Sequence, residues 1–315
     1  MELKKIDPWE LVIVGAGPAG LAAGMYAARS GLKTLIVEEK MAGGTTADAP
    51  IVENYPGFSK ISGGELAEKM VLQCRQLGVT IHELESATEL IIEENDRIVK
   101  TNKTTYASKA ILLATGSHYK EIGVIGEKKF KGRGVSYCGV CDGPLFKGKR
   151  VLVVGGGNTS ATTTLYLSGI VSEVFVVHRR EAFRAERALV KDIQSKKNVK
   201  IFWNSEIQEI IGDKLVTHVI IVNKKNDESK KLKVDAVFVQ IGEAPNNHIV
   251  QNIGINLNNK GHIITDSSQR TNIPGIYAAG DLTNHPVKQI GTAVGQGITA
   301  ALEAYSYIKQ PYYRK

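Results

Sequence analysis

Two stretches of this chain follow one plan, and that plan constrains the fold more than any other feature. Glu10-Leu11-Val12-Ile13-Val14 reads as a buried strand that runs into Gly15-Ala16-Gly17-Pro18-Ala19-Gly20 and a helix through Arg29, and a second strand, Lys33 to Val37, ends at Glu38. Farther on, Arg150-Val151-Leu152-Val153-Val154 runs into Gly155-Gly156-Gly157-Asn158-Thr159-Ser160, a helix to about Ser168, and a strand from Glu173 to Val177 that ends at His178. From first glycine to strand-end residue both units span 23 positions. A glycine turn between strand and helix, followed at this distance by a polar strand end, is the fingerprint of a dinucleotide-binding unit. Its chemistry belongs to the backbone: glycines let the turn approach a pyrophosphate, whose charge sits against the amides and dipole of the helix N-terminus. The expected fold class is α/β, with two Rossmann-like domains.

The two turns predict different ligands. Glu38 can accept hydrogen bonds from ribose hydroxyls, so Gly15, Gly17, Pro18, Ala19, Gly20 and Glu38 suit an adenine dinucleotide without a 2′-phosphate, such as FAD or NAD. At the matching place in the second unit stands His178-Arg179-Arg180, with Phe183-Arg184-Ala185 beyond. Cations there replace a carboxylate that would repel a 2′-phosphate. Gly155, Gly157, Asn158, Thr159, Ser160, His178, Arg179, Arg180 and Arg184 are therefore expected to form an NADP-type site.

Composition excludes several alternatives. With 315 residues, 43% of them apolar, the chain can bury ample core and is long enough for about two domains. The uncharged run Leu11 to Ala28, which follows Lys4-Lys5, is broken by Gly15, Gly17, Pro18, Gly20 and Gly24 and lacks an Ala-x-Ala cleavage site, so it reads as strand plus helix rather than leader or membrane span. A cytoplasmic protein is expected. The net charge of +8 is spread over scattered lysines without a long basic tract, which points to a solvated surface and not to nucleic acid. Three cysteines cannot make a disulfide framework of the secreted kind, and four thiolates for a structural zinc are not available.

Two of those cysteines lie in Ser136-Tyr137-Cys138-Gly139-Val140-Cys141-Asp142-Gly143, fourteen residues before the second glycine turn. Taken with both fingerprints, the pair gives the chain a resemblance to the low-molecular-weight thioredoxin reductases. The resemblance extends through Gly43-Gly44-Thr45, Glu53-Asn54-Tyr55-Pro56-Gly57-Phe58, Ala114-Thr115-Gly116, Ile241-Gly242-Glu243-Ala244-Pro245-Asn246 and Gly275-Ile276-Tyr277-Ala278-Ala279-Gly280-Asp281. It implies an FAD domain in two parts, residues 1–117 and 246–315, with an NADPH domain, 118–245, inserted between them. It also implies a homodimer whose disulfide partner is thioredoxin or a thioredoxin-like protein. Gly43, Gly44, Thr45 and Asn54 would join the FAD site, Gly280 and Asp281 would hold the ribityl chain, and Lys288, Gln289 and Ile290 would meet the flavin ring.

A disulfide across two intervening residues constrains little chain and a metal lacks companion ligands, so Cys138 and Cys141 read as a redox dithiol. By resemblance Cys141 faces the flavin, Cys138 attacks the partner's disulfide and Asp142 moves the proton. Cys74 reads as an ordinary helix residue. The chain departs from the family pattern at Asn158, Thr162 and Thr163, where Asp and two Glu are common, and at Gly139-Val140, where Ala-Thr is common. A flavin-dependent dithiol oxidase of the same fold, or a reductase with another hydride donor, is the alternative expectation.

Overall fold

The computed structural model describes residues 9–49, 51–94 and 96–309. It divides into two compact units, Met1–His118 with Ala244–Lys315, and Tyr119–Glu243, so the second is an insertion in the first. Lys4 and Lys5 lie outside the described residues.

The first unit is built on a seven-stranded sheet. Thr80–His82, Thr34–Val37, Trp9–Val14 and Thr105–Leu113 run parallel in that order, Ile276–Ala278 adds to the end of Thr105–Leu113, and Arg97–Thr101 and Ala87–Ile92 continue antiparallel. Alternation explains the unbroken apolar strand. Leu11 and Ile13 enter one core with the helices Pro18–Arg29 and Ile290–Lys309, while Val12 and Val14 enter another on the opposite face. Such a strand is buried on both sides, as a parallel sheet requires. The small residues of the helix Pro18–Arg29 let the helix Ile290–Lys309 come close: a Cβ at Gly297 would lie 2.1 Å from the Ala19 carbonyl oxygen. Among the described residues no helix is long and apolar enough to cross a membrane.

The inserted unit repeats this logic with five parallel strands in the order Val199–Trp203, Glu173–His178, Arg150–Val154, Ala236–Val239, Val135–Ser136. Val151 and Val153 face one core, Leu152 and Val154 the other. A three-stranded antiparallel sheet, Ser205–Gly212, Val216–Asn223 and Ser229–Lys233, contributes Ile207, Val219 and Leu232 to the second of these cores.

Candidate active site

Both glycine turns are formed as expected. In the first, Trp9–Val14 ends at Gly15, whose φ of +107° is accessible to glycine, and an added Cβ would meet the Ala114 carbonyl oxygen at 2.3 Å. Pro18 and Ala19 open the helix Pro18–Arg29, with Gly17 as its N-cap and Gly20 against the Gly15 carbonyl. Glu38 closes the turn from the side: Oε2 accepts the Ala16 N–H at 2.7 Å and Oε1 accepts the Lys40 N–H at 2.9 Å. The Gly43 N–H donates to the Ala16 carbonyl at 2.8 Å, which seats the one-turn helix Gly44–Ala47, with Thr45 exposed, beside the same turn. A Cβ on Gly17 would meet only the Gly44 Cα, at 3.9 Å. The space beside Gly17 is thus a backbone-walled cradle next to a helix N-terminus, which fits a pyrophosphate.

The same unit assembles a second group of expected residues. The Gly280 N–H donates to Gln296 Oε1 at 2.7 Å, and Lys288 Nζ donates to the Asp281 and Thr283 carbonyl oxygens at 2.9 and 2.6 Å. Lys288 therefore fastens the turn carrying Gly280 and Asp281. Gln289 accepts the Asn54 amide at 3.1 Å, and Ile290 begins the helix Ile290–Lys309 while packing on Val52, Ile61 and Leu66. Gln296 has no motif around it and escaped the sequence reading; only its contact with Gly280 reveals it.

In the inserted unit Gly155 has φ +147°, and an added Cβ would strike the Gln240 carbonyl oxygen at 2.3 Å. Gly157 caps the helix Asn158–Ser168 and has nothing within 4 Å of where its Cβ would be, so this turn also offers an open cradle. Thr159 is exposed on the first turn of that helix, whereas the Ser160 hydroxyl is buried and finds no hydrogen-bond partner among the described residues. Arg179, Arg180 and Arg184 are exposed, and the Arg184 N–H donates to the Gly156 carbonyl at 2.7 Å, tying the arginine segment to the turn. Asn158 and Glu186 clasp the two together, through Asn158 Nδ2 to Glu186 Oε1 and the Glu186 N–H to Asn158 Oδ1, both 2.9 Å.

His178 departs from expectation. It is 5% exposed, packs its ring beneath Gly156 and against Phe183 and Trp203, and donates from Nε2 to the Ala182 carbonyl at 3.0 Å. Burial, reinforced by Arg180, Arg184 and Arg179 and only partly opposed by the Ala182 bond, holds it below the ordinary histidine range. It is a neutral support for the turn and not a cation of the strand end.

Cys138 and Cys141 form a disulfide with Cα atoms 5.3 Å apart, on the one-turn helix Gly139–Asp142. Cys138 is its N-cap, with Sγ accepting the Cys141 N–H at 3.2 Å. Burial raises the Asp142 carboxyl above the usual carboxylate range, and a hydrogen bond from Ser136 partly offsets it. Beneath the pair, Gln240 donates to the Tyr137 carbonyl at 2.9 Å and accepts from Thr163 Oγ1 at 3.3 Å, while the Tyr137 hydroxyl donates to the buried Glu127 carboxylate at 2.9 Å. The remaining cysteine, Cys74, is buried in the helix Gly63–Gln76, donates to the Leu21 carbonyl and has its thiol pushed up to about 11, which keeps it inert.

Residues 9–297 match the family model described as pyridine nucleotide-disulphide oxidoreductase. The chain belongs to this family. As a member it is an oxidoreductase. A thioredoxin reductase of Bacillus subtilis is 39% identical over 303 residues, covering 96% of this chain and 95% of that protein. A protein named NADH dehydrogenase from Ferdinandcohnia aciditolerans is 36% identical over 307 residues, 98% of this chain and 59% of that one. The solved thioredoxin reductase of Streptococcus pyogenes superimposes with a TM-score of 0.92 at 37% identity, covering 95% of this chain and 98% of that one. The resemblance drawn from the motifs thus holds across nearly the whole length.

Proposed function

We propose that the protein is an NADPH-dependent thioredoxin-disulfide reductase. The observation that carries this reading is the Cys138–Cys141 disulfide, with a raised Asp142 carboxyl beside it, in the same unit as a glycine turn tethered through Arg184 to the segment that carries Arg179 and Arg180. The cradle between Gly17 and Gly44 would take the FAD pyrophosphate, Glu38 the adenosine ribose, Asp281 the ribityl chain, and Asn54, Gln289 and Ile290 the ring. Bound FAD would supply two-electron exchange between a pyridine nucleotide and a disulfide. The chain's own residues do the rest. Arg179, Arg180 and Arg184 would bind the 2′-phosphate that distinguishes NADPH from NADH, through charge-assisted hydrogen bonds. Cys141 would face the flavin, and Cys138 would attack the disulfide of a thioredoxin-like protein. Asp142, whose carboxyl is raised above the usual carboxylate range by desolvation, would give a proton to a thiolate. A dithiol fed by NADPH belongs in a reducing compartment, so we place the protein in the cytoplasm, as a homodimer.

The test is the visible spectrum of the purified protein. Bound flavin should bleach on anaerobic addition of NADPH and recover on addition of oxidised thioredoxin. A flavin that bleaches but is reoxidised by oxygen alone, with no thiols produced on thioredoxin, would replace this reading with that of a dithiol oxidase.

A further inference from the structure

Asn158 opens the helix Asn158–Ser168 directly after the second glycine turn, and Glu186 closes the segment that carries the arginines. Their hydrogen bonds are reciprocal: Asn158 Nδ2 donates to the Glu186 carboxylate and the Glu186 N–H donates to Asn158 Oδ1, each at 2.9 Å. An amide side chain can do both, since it carries a donor and an acceptor on one carbon. An aspartate at 158, common in the family pattern, would accept the N–H but would set a second carboxylate against Glu186. The departure at Asn158 is what closes the clasp.

Residues 179–186 form neither helix nor strand, so cross-links to the rest of the unit place their side chains. Arg180 has one of its own, its carbonyl accepting the Asn204 N–H at 3.1 Å, and the Ala182 carbonyl is held by His178. Arg184 is tied to the glycine turn through its N–H, which donates to the Gly156 carbonyl at 2.7 Å, and the clasp follows two residues on. The clasp therefore bears on Arg184 more than on Arg179 or Arg180.

We propose that Asn158 and Glu186 are positioning residues that hold Arg184 ready for a 2′-phosphate, so that the clasp sets how strongly the site prefers a nucleotide with that phosphate over one without it. The inference rests on the NADPH reading above. A cationic loop that is ordered before its ligand arrives loses less freedom on binding, which tightens the complex. Without the clasp, the Arg184 backbone keeps a single bond to the turn, and the cost of ordering it falls on the phosphate contact. A nucleotide lacking the 2′-phosphate does not use that contact and does not feel the loss.

Calorimetric titration of the flavin-loaded protein with 2′,5′-ADP and with 5′-AMP tests the proposal without turnover. The parent should bind 2′,5′-ADP the more tightly. Glu186→Ala should weaken 2′,5′-ADP by about three- to tenfold, the scale of one or two hydrogen bonds, and leave 5′-AMP within about twofold of the parent. Glu186 caps the helix Arg187–Ser195 without a side-chain hydrogen bond, so this variant does not uncap it. Glu186→Gln retains an oxygen for Asn158 Nδ2 and the main-chain N–H, and should bind both nucleotides as the parent does, which separates the clasp from the carboxylate's charge. In an Arg184→Leu background Glu186→Ala should have no further effect on 2′,5′-ADP, because it acts through that arginine. The proposal is overturned if Glu186→Ala binds 2′,5′-ADP as tightly as the parent, if it loses 5′-AMP equally, if Glu186→Gln is as weak as Glu186→Ala, or if the loss persists in the Arg184→Leu background. A parent with no preference for 2′,5′-ADP overturns the NADPH reading instead, and with it the preference that the clasp would set.

Discussion

The helix carrying the disulfide should be keyed to its neighbour by a single missing methyl group. A Cβ at Gly139 would lie 2.4 Å from Thr163 Cγ2, 3.2 Å from Thr163 Oγ1 and 3.3 Å from Thr163 Cβ. Thr163 is itself buried and bonded through its hydroxyl to Gln240, so it cannot swing aside without breaking that bond. Gly139 and Thr163, both departures from the thioredoxin-reductase pattern, are therefore packed against each other: the threonine methyl occupies the space that a methyl group at position 139 would fill. Gly139→Ala should cost about 1–3 kcal/mol from overpacking, of which the better helix propensity of alanine returns just under about 1 kcal/mol. The net loss, from near zero to roughly 2 kcal/mol, corresponds to a fall of at most roughly 3 °C in the thermal unfolding midpoint of a 315-residue chain. Thr163→Ser removes the atom at 2.4 Å and keeps the hydroxyl, so in that background Gly139→Ala should cost little. Differential scanning calorimetry of the four proteins in the cycle gives the coupling, expected to be about 1 kcal/mol or more. An additive cycle would refute the packing argument.

Other changes separate the steps of the relay. Cys138→Ser and Cys141→Ser should each abolish NADPH-dependent reduction of thioredoxin while leaving flavin bound and reducible, as measured by turnover and by absorbance. Asp142→Asn should slow the dithiol steps by about 10²-fold, the lower range for a general acid. Because burial raises the Asp142 carboxyl, the parent's acid-dependent limb should fall as pH rises through that raised value, whereas Asp142→Asn should be flat there. By the same linkage the variant should gain stability relative to the parent as pH rises, since it avoids burying a charge; denaturant midpoints at several pH values report it. Replacing Arg179 and Arg180 with Leu should raise the KM for NADPH at least about tenfold and leave NADH kinetics nearly unchanged, since each removes a charge-assisted bond of about 1.5–3 kcal/mol.

Much of this site is local in sequence and was therefore legible there. Glycine turns dictate backbone shape over a few residues, and the helices Pro18–Arg29 and Asn158–Ser168 end where the pattern places their ends. The apolar strands alternate between two cores as parallel burial demands. What the pattern lacks is pairing across long separations. Gln296 reaches Gly280, Gln240 reaches Tyr137, and Glu186 reaches Asn158, each through side chains that no motif contains. His178 was misread because a strand-end histidine beside two arginines reads as one more cation, whereas its burial among Phe183, Trp203 and Gly156 makes it neutral.

The central claim is that electrons from NADPH reach the Cys138–Cys141 disulfide, and counting alkylatable thiols tests it most directly. The parent protein, treated anaerobically with NADPH and then with iodoacetamide, should carry label on Cys138 and Cys141 and none on buried Cys74, as read by peptide mass spectrometry; without NADPH it should carry none. A flavin that bleaches with NADPH while Cys138 and Cys141 remain joined and unlabelled would contradict the relay.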